Sequence, residues 1–290
     1  MLLVTGASGF VGRYLCRLIS ASKESSPTPL LACSYRTPLS GRSVQVDLSN
    51  RSAVQALFDQ YPIDSVIHLA AESRPALCQK SPEIAQKVNV DSTGNLAEAV
   101  QARGGWLLYV STDMVFDGER GTYTEEDTPA PINVYGLSKL AAERLVSTRC
   151  EKHCIVRPAL IYGQGIDGSK SMLDWTVGVL NGESGAFFED EYRTPVWVAD
   201  LVNLLYKFYR ERYCGLVHAG GLDRISRVDF ARSVSQIWDT PVKEIPVSRL
   251  DLLPDNHWRP RDVSLSSVHE SSFFARHHID DALRFIYQQS

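Results

Sequence analysis

The chain has 290 residues, of which 44% are hydrophobic, and its formal net charge at pH 7 is −4. This apolar fraction can build a full core, which argues against disorder, and the length suits one large domain or a nucleotide-binding domain with a smaller appended one. Because acidic and basic residues are interspersed along the chain, the charge argues against nucleic-acid binding.

Six cysteines are scattered without metal-ligand or redox spacing, at Cys16, Cys33, Cys78, Cys150, Cys154 and Cys214. Scattered thiols predict a reducing compartment. The sequence enters a strand directly, with no charged leader and no long apolar run. We therefore expect a soluble cytoplasmic protein without a membrane span.

The first candidate site follows the apolar strand Met1 to Thr5, where a glycine turn leads into a helix predicted from Arg13 to Ser20. Strand, glycine turn and helix in this order let backbone amides approach a pyrophosphate at the helix N-terminus. The alternative is a tight turn without a ligand. The predicted cofactor-binding residues of this turn are Gly6, Ser8, Gly9, Phe10, Val11 and Gly12.

The second predicted strand, Leu30 to Ser34, ends in Ser34-Tyr35-Arg36 and has no acidic residue nearby. An acid at this position would bind the adenosine ribose hydroxyls of NAD. Arg36 can instead neutralise a 2′-phosphate and stack on adenine. NADPH is therefore the predicted cofactor, with NADH left open, and the alternative is that Arg36 and Arg13 are ordinary surface arginines.

The next two strands also end in candidate cofactor contacts. Ser43 to Val46 leads to Asp47 and Leu48, where Asp47 can meet the adenine amino group or cap a helix predicted from Arg51 to Asp59. The strand Asp64 to Leu69 is followed by small residues, which leave room for a cofactor at Leu69, Ala70 and Ala71. His68 lies inside the apolar run and is interpreted as a core histidine.

A long helix is predicted from Ser81 to Ala102, with Val88, Val90, Leu96 and Val100 facing a sheet. Alternating strands and helices with short links predict an α/β protein with a doubly wound parallel sheet, the Rossmann type. We expect residues 1–162 to form the NADP-binding domain, with a later helix or strand returning to it. Residues 163–290 would mainly form a substrate-binding lobe.

A possible catalytic pair follows the buried strand Trp106 to Val110 and its polar end. The helix predicted from Asn133 to Val146 carries Tyr135 and Lys139 four residues apart, so both project from one face. An ammonium beside a phenol favours the phenolate and lowers the phenol pKa, which suits a proton donor to a carbonyl oxygen. The alternative is an ordinary helix-surface pair.

The second half of the sequence consists of isolated segments. Two candidate phosphate ligands, Arg193 and Arg259, can bind a diphosphate bidentately or form surface ion pairs, and the same choice holds for Arg261. Trp258 is interpreted as a core residue rather than a stacking platform. The acidic run Glu189 to Glu191 is interpreted as a solvated loop, so no metal site is predicted. The predicted elements are the helices Met172 to Leu180, Val198 to Tyr209 and Ser226 to Trp238 and the strand Phe187 to Phe188.

Taken together, these residues resemble the extended short-chain dehydrogenase/reductase superfamily and, more narrowly, the dTDP-4-dehydrorhamnose reductase family. One branch of that family resembles the methionine adenosyltransferase β subunit, which keeps the fold and cofactor site but serves as a regulator. The motifs that carry the resemblance are the glycine turn, the segment from Ser111 to Gly118, Asn133 to Gly136, Tyr135 with Lys139, Arg193 to Leu201, and Arg259 to Asp262. Segments 70–75 and 89–97 are more similar to the regulatory branch.

The resemblance implies a catalytic set of Thr112, Tyr135 and Lys139. Thr112 would hydrogen-bond the substrate oxygen, Tyr135 would deliver the proton, and Lys139 would hold the nicotinamide ribose and lower the Tyr135 pKa. Pro158 would join the cofactor contacts. The implied substrate contacts are Asp113, Met114, Arg193 and Arg259.

Two departures from the family pattern concern the sugar. The reductases usually carry Tyr where this sequence has Met114, and a Trp where we align Leu160, so two stacking platforms for a hexose are absent. Met114 also replaces the acid that related dehydratases use, which argues against dehydration. The leading hypothesis is an NADPH-dependent reductase of a 4-keto nucleotide-sugar. The alternatives are a cofactor-binding regulatory subunit with a partner enzyme and a sugar epimerase with tightly held NAD, and a homodimer is compatible with the superfamily.

Overall fold

A computed structural model describes residues 1–22, 29–238, 240, 244–253, 258–269 and 277–289. Thirteen strands lie within these residues. They are β1 Leu2–Thr5, β2 Leu30–Ser34, β3 Ser43–Gln45, β4 Ser65–His68, β5 Trp106–Val110, β6 His153–Pro158, β7 Ile161–Tyr162, β8 Phe187–Phe188, β9 Tyr192–Arg193, β10 Val196–Trp197, β11 Gly215–Ala219, β12 Ile225–Ser226 and β13 Val247–Ser248.

Ten α-helices occur in the same ranges. They are α1 Phe10–Ala21, α2 Arg51–Gln60, α3 Pro75–Lys80, α4 Pro82–Ala85, α5 Ser92–Ala102, α6 Val134–Arg149, α7 Met172–Leu180, α8 Val198–Glu211, α9 Arg227–Ile237 and α10 Ile279–Gln289. A π-helical segment, Gln86–Asp91, joins α4 to α5. Short 3₁₀ turns occur at Asp113–Val115, after β5, and at Leu250–Leu252.

Seven strands form the central sheet in the order β11-β6-β5-β4-β1-β2-β3. The five pairings from β3 to β6 are all parallel. β1 lies between β2 and β4, and its residue Leu2 lies opposite Leu30 on β2 and Ser65 on β4. Parallel neighbours require crossover connections, and the helices between the strands provide them. The doubly wound α/β fold predicted from the alternation of strands and helices is therefore confirmed.

The fold divides into two compact units. The first contains Met1–Thr112, Asn133–Arg157 and Val202–Val217, and its core is built from the sheet and helix residues around Leu3, Val66 and Leu107. The second contains Asp113–Ile132, Pro158–Leu201 and His218–Ser290. Its core packs α7, α9 and α10 around Phe230 and Leu283, next to three two-stranded sheets.

The prediction of one regular helix from Ser81 to Ala102 is wrong in its middle. Gln86–Asp91 is π-helical, and each π-turn takes in one residue more than an α-turn. Two hydroxyls accommodate the widened turn, since Ser92 Oγ donates to Lys87 O over 3.2 Å and Thr93 Oγ1 to Asn89 O over 2.6 Å. Because the register shifts there, Val88 is only half-buried while Asn89 is buried.

The other predicted elements occur close to their predicted ends. β2, α7 and β8 have the predicted bounds, and α6 begins at Val134 and continues three residues beyond the predicted Val146. No helix among the described residues is long and apolar enough to cross a membrane.

Candidate active site

The glycine turn connects β1 to α1 and needs glycine for two different reasons. Gly6 has a φ of +65°, and a Cβ there would lie 2.7 Å from Ala70 N, so the ends of β1 and β4 approach through this residue. A Cβ on Gly12 would lie 2.2 Å from Gly6 O, which ties α1 closely to the turn. Thr5 Oγ1 accepts from Leu69 N and Ala70 N at 3.2 and 3.3 Å.

The N-terminus of α1 has the character of an anion site. Gly9 is the N-cap and provides no side-chain cap, and the first turn of α1 contains no acidic residue. The first amides of a helix lack partners within it and carry partial positive charge. Ser8 is half-buried and Gly9 is exposed, so a pyrophosphate fits this end of the helix.

The end of β2 exposes the arginine that was predicted to select the cofactor. Arg36 is exposed, and its guanidinium carbon lies 4.9 Å from the ring centroid of Tyr35, itself 54% exposed. None of the described carboxylates forms an ion pair with Arg36. Arg13 is committed differently, because its Nε donates to Ser8 O over 2.9 Å.

Asp47 does not cap the following helix, contrary to one of its two predicted roles. The N-cap of α2 is Asn50, whose side chain accepts from Ala53 N over 3.1 Å. Asp47 Oδ1 accepts from the backbone N and the Oγ of Ser49, and its Oδ2 lies 3.5 Å from Lys87 Nζ. The Ser49 hydroxyl is the main cause of a lowered pKa for Asp47. The neighbouring Leu48 is buried.

His68 is a core residue, as predicted. Its side chain is fully buried, with Nδ1 2.6 Å from Thr5 Oγ1 and Nε2 3.0 Å from Thr93 Oγ1. Burial, together with the nearby Lys139, lowers the pKa of His68 to about 3, so the ring is neutral at pH 7. Leu69, Ala70 and Ala71, which follow it, are partly buried.

The three residues of the implied catalytic set lie in the first compact unit and are all buried. Thr112 follows the end of β5, while Tyr135 and Lys139 lie on α6. Asn133 caps α6 by accepting from Gly136 N over 2.7 Å, which fixes the start of the helix one residue before Val134. Lys139 Nζ donates to Val110 O over 2.7 Å and thereby joins α6 to the residue two positions before Thr112.

The charge on Lys139 is finely balanced. Burial lowers the pKa of Lys139 to about 7, and Glu143 opposes that shift. Glu143 is itself engaged by Arg157, with Arg157 Nε 2.9 Å from Oε1 and Nη2 2.7 Å from Oε2. A lysine side chain with a pKa near 7 can gain or lose a proton at physiological pH, which suits proton transfer.

The predicted substrate residues Asp113 and Arg193 meet inside the second compact unit. Arg193 Nε lies 3.5 Å from Asp113 Oδ2, and Arg193 Nη2 lies 3.3 Å from Glu191 Oε1. Arg193 Nη1 also donates to Tyr192 O and Pro260 O at 2.8 and 3.4 Å. Arg193 is 5% exposed, so the alternative of a surface ion pair is wrong: the guanidinium is buried and has protein partners.

The remaining candidates of this unit differ in exposure. Arg259 is partly buried, and its Nη1 lies 3.8 Å from Glu191 Oε2. Its guanidinium packs over the rings of Phe188 and Trp258. Met114 and Trp258 are half-buried, Arg261 is exposed, and Pro158 is buried at the end of β6. Within the described residues, no group of three or more His, Cys, Asp or Glu side chains could hold a metal ion.

Sequence analysis missed two residues close to these candidates. Arg227, at the start of α9, donates its backbone N–H to Glu191 O over 3.1 Å, and its guanidinium carbon lies 5.7 Å from the ring centroid of Trp175. Burial lowers the Arg227 pKa, and the carboxylates of Glu191 and Asp113 oppose that shift. Tyr109 lies beneath Lys139, with its ring centroid 4.3 Å from Nζ. Tyr109 was missed because it lies within an apolar strand, where an aromatic residue is expected in the core. Arg227 was missed because it belongs to no recognised sequence motif.

Comparison with known proteins identifies the family. The probable low-salt glycan biosynthesis reductase of Haloferax volcanii is 30% identical over 244 residues, which cover 81% of this chain and 79% of that protein. Methionine adenosyltransferase 2 subunit beta of Pongo abelii is 28% identical over 271 residues, covering 91% and 79%. The crystal structure of a dTDP-4-dehydrorhamnose reductase from Clostridium acetobutylicum has a TM-score of 0.86 at 25% identity and covers 99% of this chain and 98% of that one.

These relatives confirm the resemblance that the motifs predicted. The family profile described as the RmlD substrate binding domain matches residues 1–286. Because this match extends over nearly the whole sequence, the chain belongs to the RmlD substrate-binding-domain family.

Proposed function

We propose that this protein is an NADPH-dependent reductase of a 4-keto nucleotide-sugar. The observation that carries the proposal is the burial of Thr112, Tyr135 and Lys139 in one compact unit, with the Lys139 ammonium bonded to the end of β5. The glycan biosynthesis reductase of Haloferax volcanii and the dTDP-4-dehydrorhamnose reductase of Clostridium acetobutylicum support the reaction class.

The residues at the ends of β1 and β2 fit NADPH. The uncapped N-terminus of α1, free of acidic residues, would hold the pyrophosphate through backbone amides. Arg36 would bind the 2′-phosphate, with Tyr35 beside it as a flat surface for adenine. Asp47, Leu48, the Leu69–Ala71 segment and Pro158 are the other proposed contacts, and NADH stays the less favoured alternative.

Bound NADPH would supply the hydride to the ketone carbon. Tyr135 would donate a proton to the carbonyl oxygen, which Thr112 would hold by a hydrogen bond. Lys139 would stabilise the Tyr135 phenolate that this transfer leaves and would bind the nicotinamide ribose. Burial of all three side chains excludes water from the developing charge.

The sugar nucleotide would contact the second compact unit, which contains most of the predicted substrate lobe, residues 163–290. Arg259 and Arg227 are the better candidates for its diphosphate, because Arg193 already binds two carboxylates and two carbonyls. Arg193 would instead hold Asp113 towards a sugar hydroxyl, next to Met114. The predicted homodimer and cytoplasmic location stay predictions.

The first experiment titrates the purified protein with NADPH and NADH and then adds a dTDP-4-keto-hexose to the NADPH complex. We expect tighter binding of NADPH and oxidation of the cofactor on addition of the sugar. Tight NADPH binding without oxidation by any 4-keto nucleotide-sugar would contradict the reductase and favour the second candidate.

That second candidate is a cofactor-binding regulatory subunit. The 28% identity to methionine adenosyltransferase 2 subunit beta favours it. A pull-down with a methionine adenosyltransferase catalytic subunit, with and without NADPH, would test it. Saturable complex formation that changes the catalytic subunit's activity would support this candidate, and its absence together with NADPH oxidation would reject it.

A further inference from the structure

The Lys139 ammonium is buried without a carboxylate in contact with it among the described residues. Its side chain is 2% exposed, and its Nζ donates to Val110 O over 2.7 Å. Glu143 follows one turn later on α6, but both of its carboxylate oxygens accept from Arg157. The nearest negative charge on the helix is therefore already balanced by a guanidinium.

The ring of Tyr109 lies against the Lys139 ammonium. Lys139 Nζ lies 4.3 Å from the ring centroid, and Tyr109 is completely buried in the first unit's core. The negative face of an aromatic ring attracts a cation, and the attraction is stronger where water is absent. Tyr109 and Val110 are consecutive in β5, so one strand supplies both the ring and the carbonyl that meet the ammonium.

The Tyr109 hydroxyl is a separate feature from this contact. Its oxygen is buried, and Thr93 is a polar side chain that interacts with it. Burial raises the pKa of Tyr109, so the side chain stays a neutral phenol. The ring face, which phenylalanine would share, is therefore the part of Tyr109 that meets Lys139.

Within the described ranges, the other titratable groups around Lys139 leave no unbalanced second cation. His68, on β4, has its ring centroid 5.7 Å from that of Tyr109 and is neutral because burial lowers its pKa to about 3. Cys78, on α3, is a neutral thiol because burial raises its pKa to about 11. Tyr135 and Glu143 lie on α6 itself, and Arg157, on β6, is paired with Glu143.

We propose that Tyr109 is a positioning residue whose ring face holds the Lys139 ammonium in place and in its charged form. Its service to a proton relay with Tyr135 rests on the proposed function. The contact between the ring and the ammonium does not.

The consequence can be measured in the free energy of unfolding. Burial lowers the folded-state pKa of Lys139 to about 7, whereas a lysine in an unfolded chain keeps its proton to about pH 10.4. Between these values the unfolded state binds more protons, so stability should rise with pH. Without the ring the charged form loses an attraction, and this rise should begin at lower pH.

The experiment measures urea unfolding without cofactor from about pH 5 to pH 10 for the wild type, Tyr109→Phe and Tyr109→Leu. Each of the three proteins is also measured with the added substitution Lys139→Met. The difference in unfolding free energy with and without Lys139→Met isolates the part of the pH dependence that Lys139 causes. The midpoint compared is the folded-state pKa of Lys139, the pH at which this rise in stability begins. We expect Tyr109→Phe to keep the wild-type midpoint and Tyr109→Leu to lower it by about 0.5–1.5 pH units. Tyr162→Leu, which removes a buried ring from the second unit, should destabilise the protein without moving that midpoint.

An unchanged midpoint in Tyr109→Leu would overturn the proposal, as would equal shifts in Tyr109→Leu and Tyr109→Phe. If the Leu variant does not fold, Tyr109→Met gives the same comparison with a longer side chain and no ring. No substrate or cofactor enters the measurement. An absence of NADPH oxidation would therefore count against the proposed reductase and leave this result untouched.

Discussion

Lys139 in the first compact unit and Arg193 in the second are both buried cations in candidate sites, yet their surroundings are opposite. Arg193 lies within 3.5 Å of carboxylate oxygens of Asp113 and Glu191 and donates to two backbone carbonyls. Lys139 has one carbonyl and the face of Tyr109. Burial without an opposite charge lowers a pKa, whereas burial with one preserves the charge.

The different surroundings of these two cations suit two different functions. A guanidinium is always charged in a protein, and the four protein partners of Arg193 fix its geometry, which suits the orientation of Asp113. An ammonium with a pKa of about 7 changes its charge near physiological pH, which suits proton transfer. The first unit would therefore hold the adjustable charge, and the second unit the fixed one.

The largest expected effect comes from removal of the proton donor. Tyr135→Phe should lower kcat by about 10²–10⁴-fold, because general acid catalysis contributes that much. The Kd for NADPH should change little, since the glycine turn and Arg36 remain. Steady-state kinetics and a fluorescence titration measure the two quantities, and wild-type turnover in this variant would refute the assignment.

Arg193→Gln tests the fixed charge. It leaves two buried carboxylates without their guanidinium, which should cost about 3–5 kcal/mol in the free energy of unfolding. Urea unfolding at pH 7 gives this value. The control is Arg232→Gln, which removes an exposed partner of Asp229 and should change stability by less than about 1 kcal/mol. Equal small effects would mean that the Arg193 pairs contribute little.

Lys139→Met tests the adjustable charge and should have the opposite sign. The folded protein holds a buried ammonium below about pH 7, so its removal should stabilise the protein there by about 4–5 kcal/mol. The gain should shrink as pH rises towards about 10.4, where the unfolded lysine also loses its proton. Urea unfolding at both ends of this range checks the sign, and destabilisation at every pH would contradict it. Turnover should be lost in the same variant.

Arg36→Ala examines a third charge, which is exposed and separate from both buried ones. It should weaken NADPH far more than NADH, by roughly 1–3 kcal/mol for a lost charged hydrogen bond. Arg17→Ala, on the exposed part of α1, serves as the control and should leave both affinities unchanged. An unchanged preference in Arg36→Ala would place the 2′-phosphate contact elsewhere.

Local patterns were enough to predict the fold and the order of the candidate residues. Gly6 and Gly12 follow an apolar strand, Tyr135 and Lys139 are one helical turn apart, and the alternation of strands and helices implies the parallel sheet. These features depend on neighbours within a few residues, so the sequence displays them directly. The π-turn at Gln86–Asp91 escaped prediction because it displaces the apolar spacing of the surrounding helix by only one residue.

The amino-acid sequence by itself determined which residue types are present: a phenol and an ammonium on one helix face, a glycine turn, and an arginine where NAD enzymes carry an acid. The tertiary structure alone decided their electrical state. Arg193 was predicted to bind a diphosphate or to form a surface ion pair, and it is buried with two carboxylates. Lys139 meets the ring of Tyr109, 30 residues earlier in the chain. Charge and pKa depend on which distant groups and how little water surround a side chain, and only the folded chain brings those groups together.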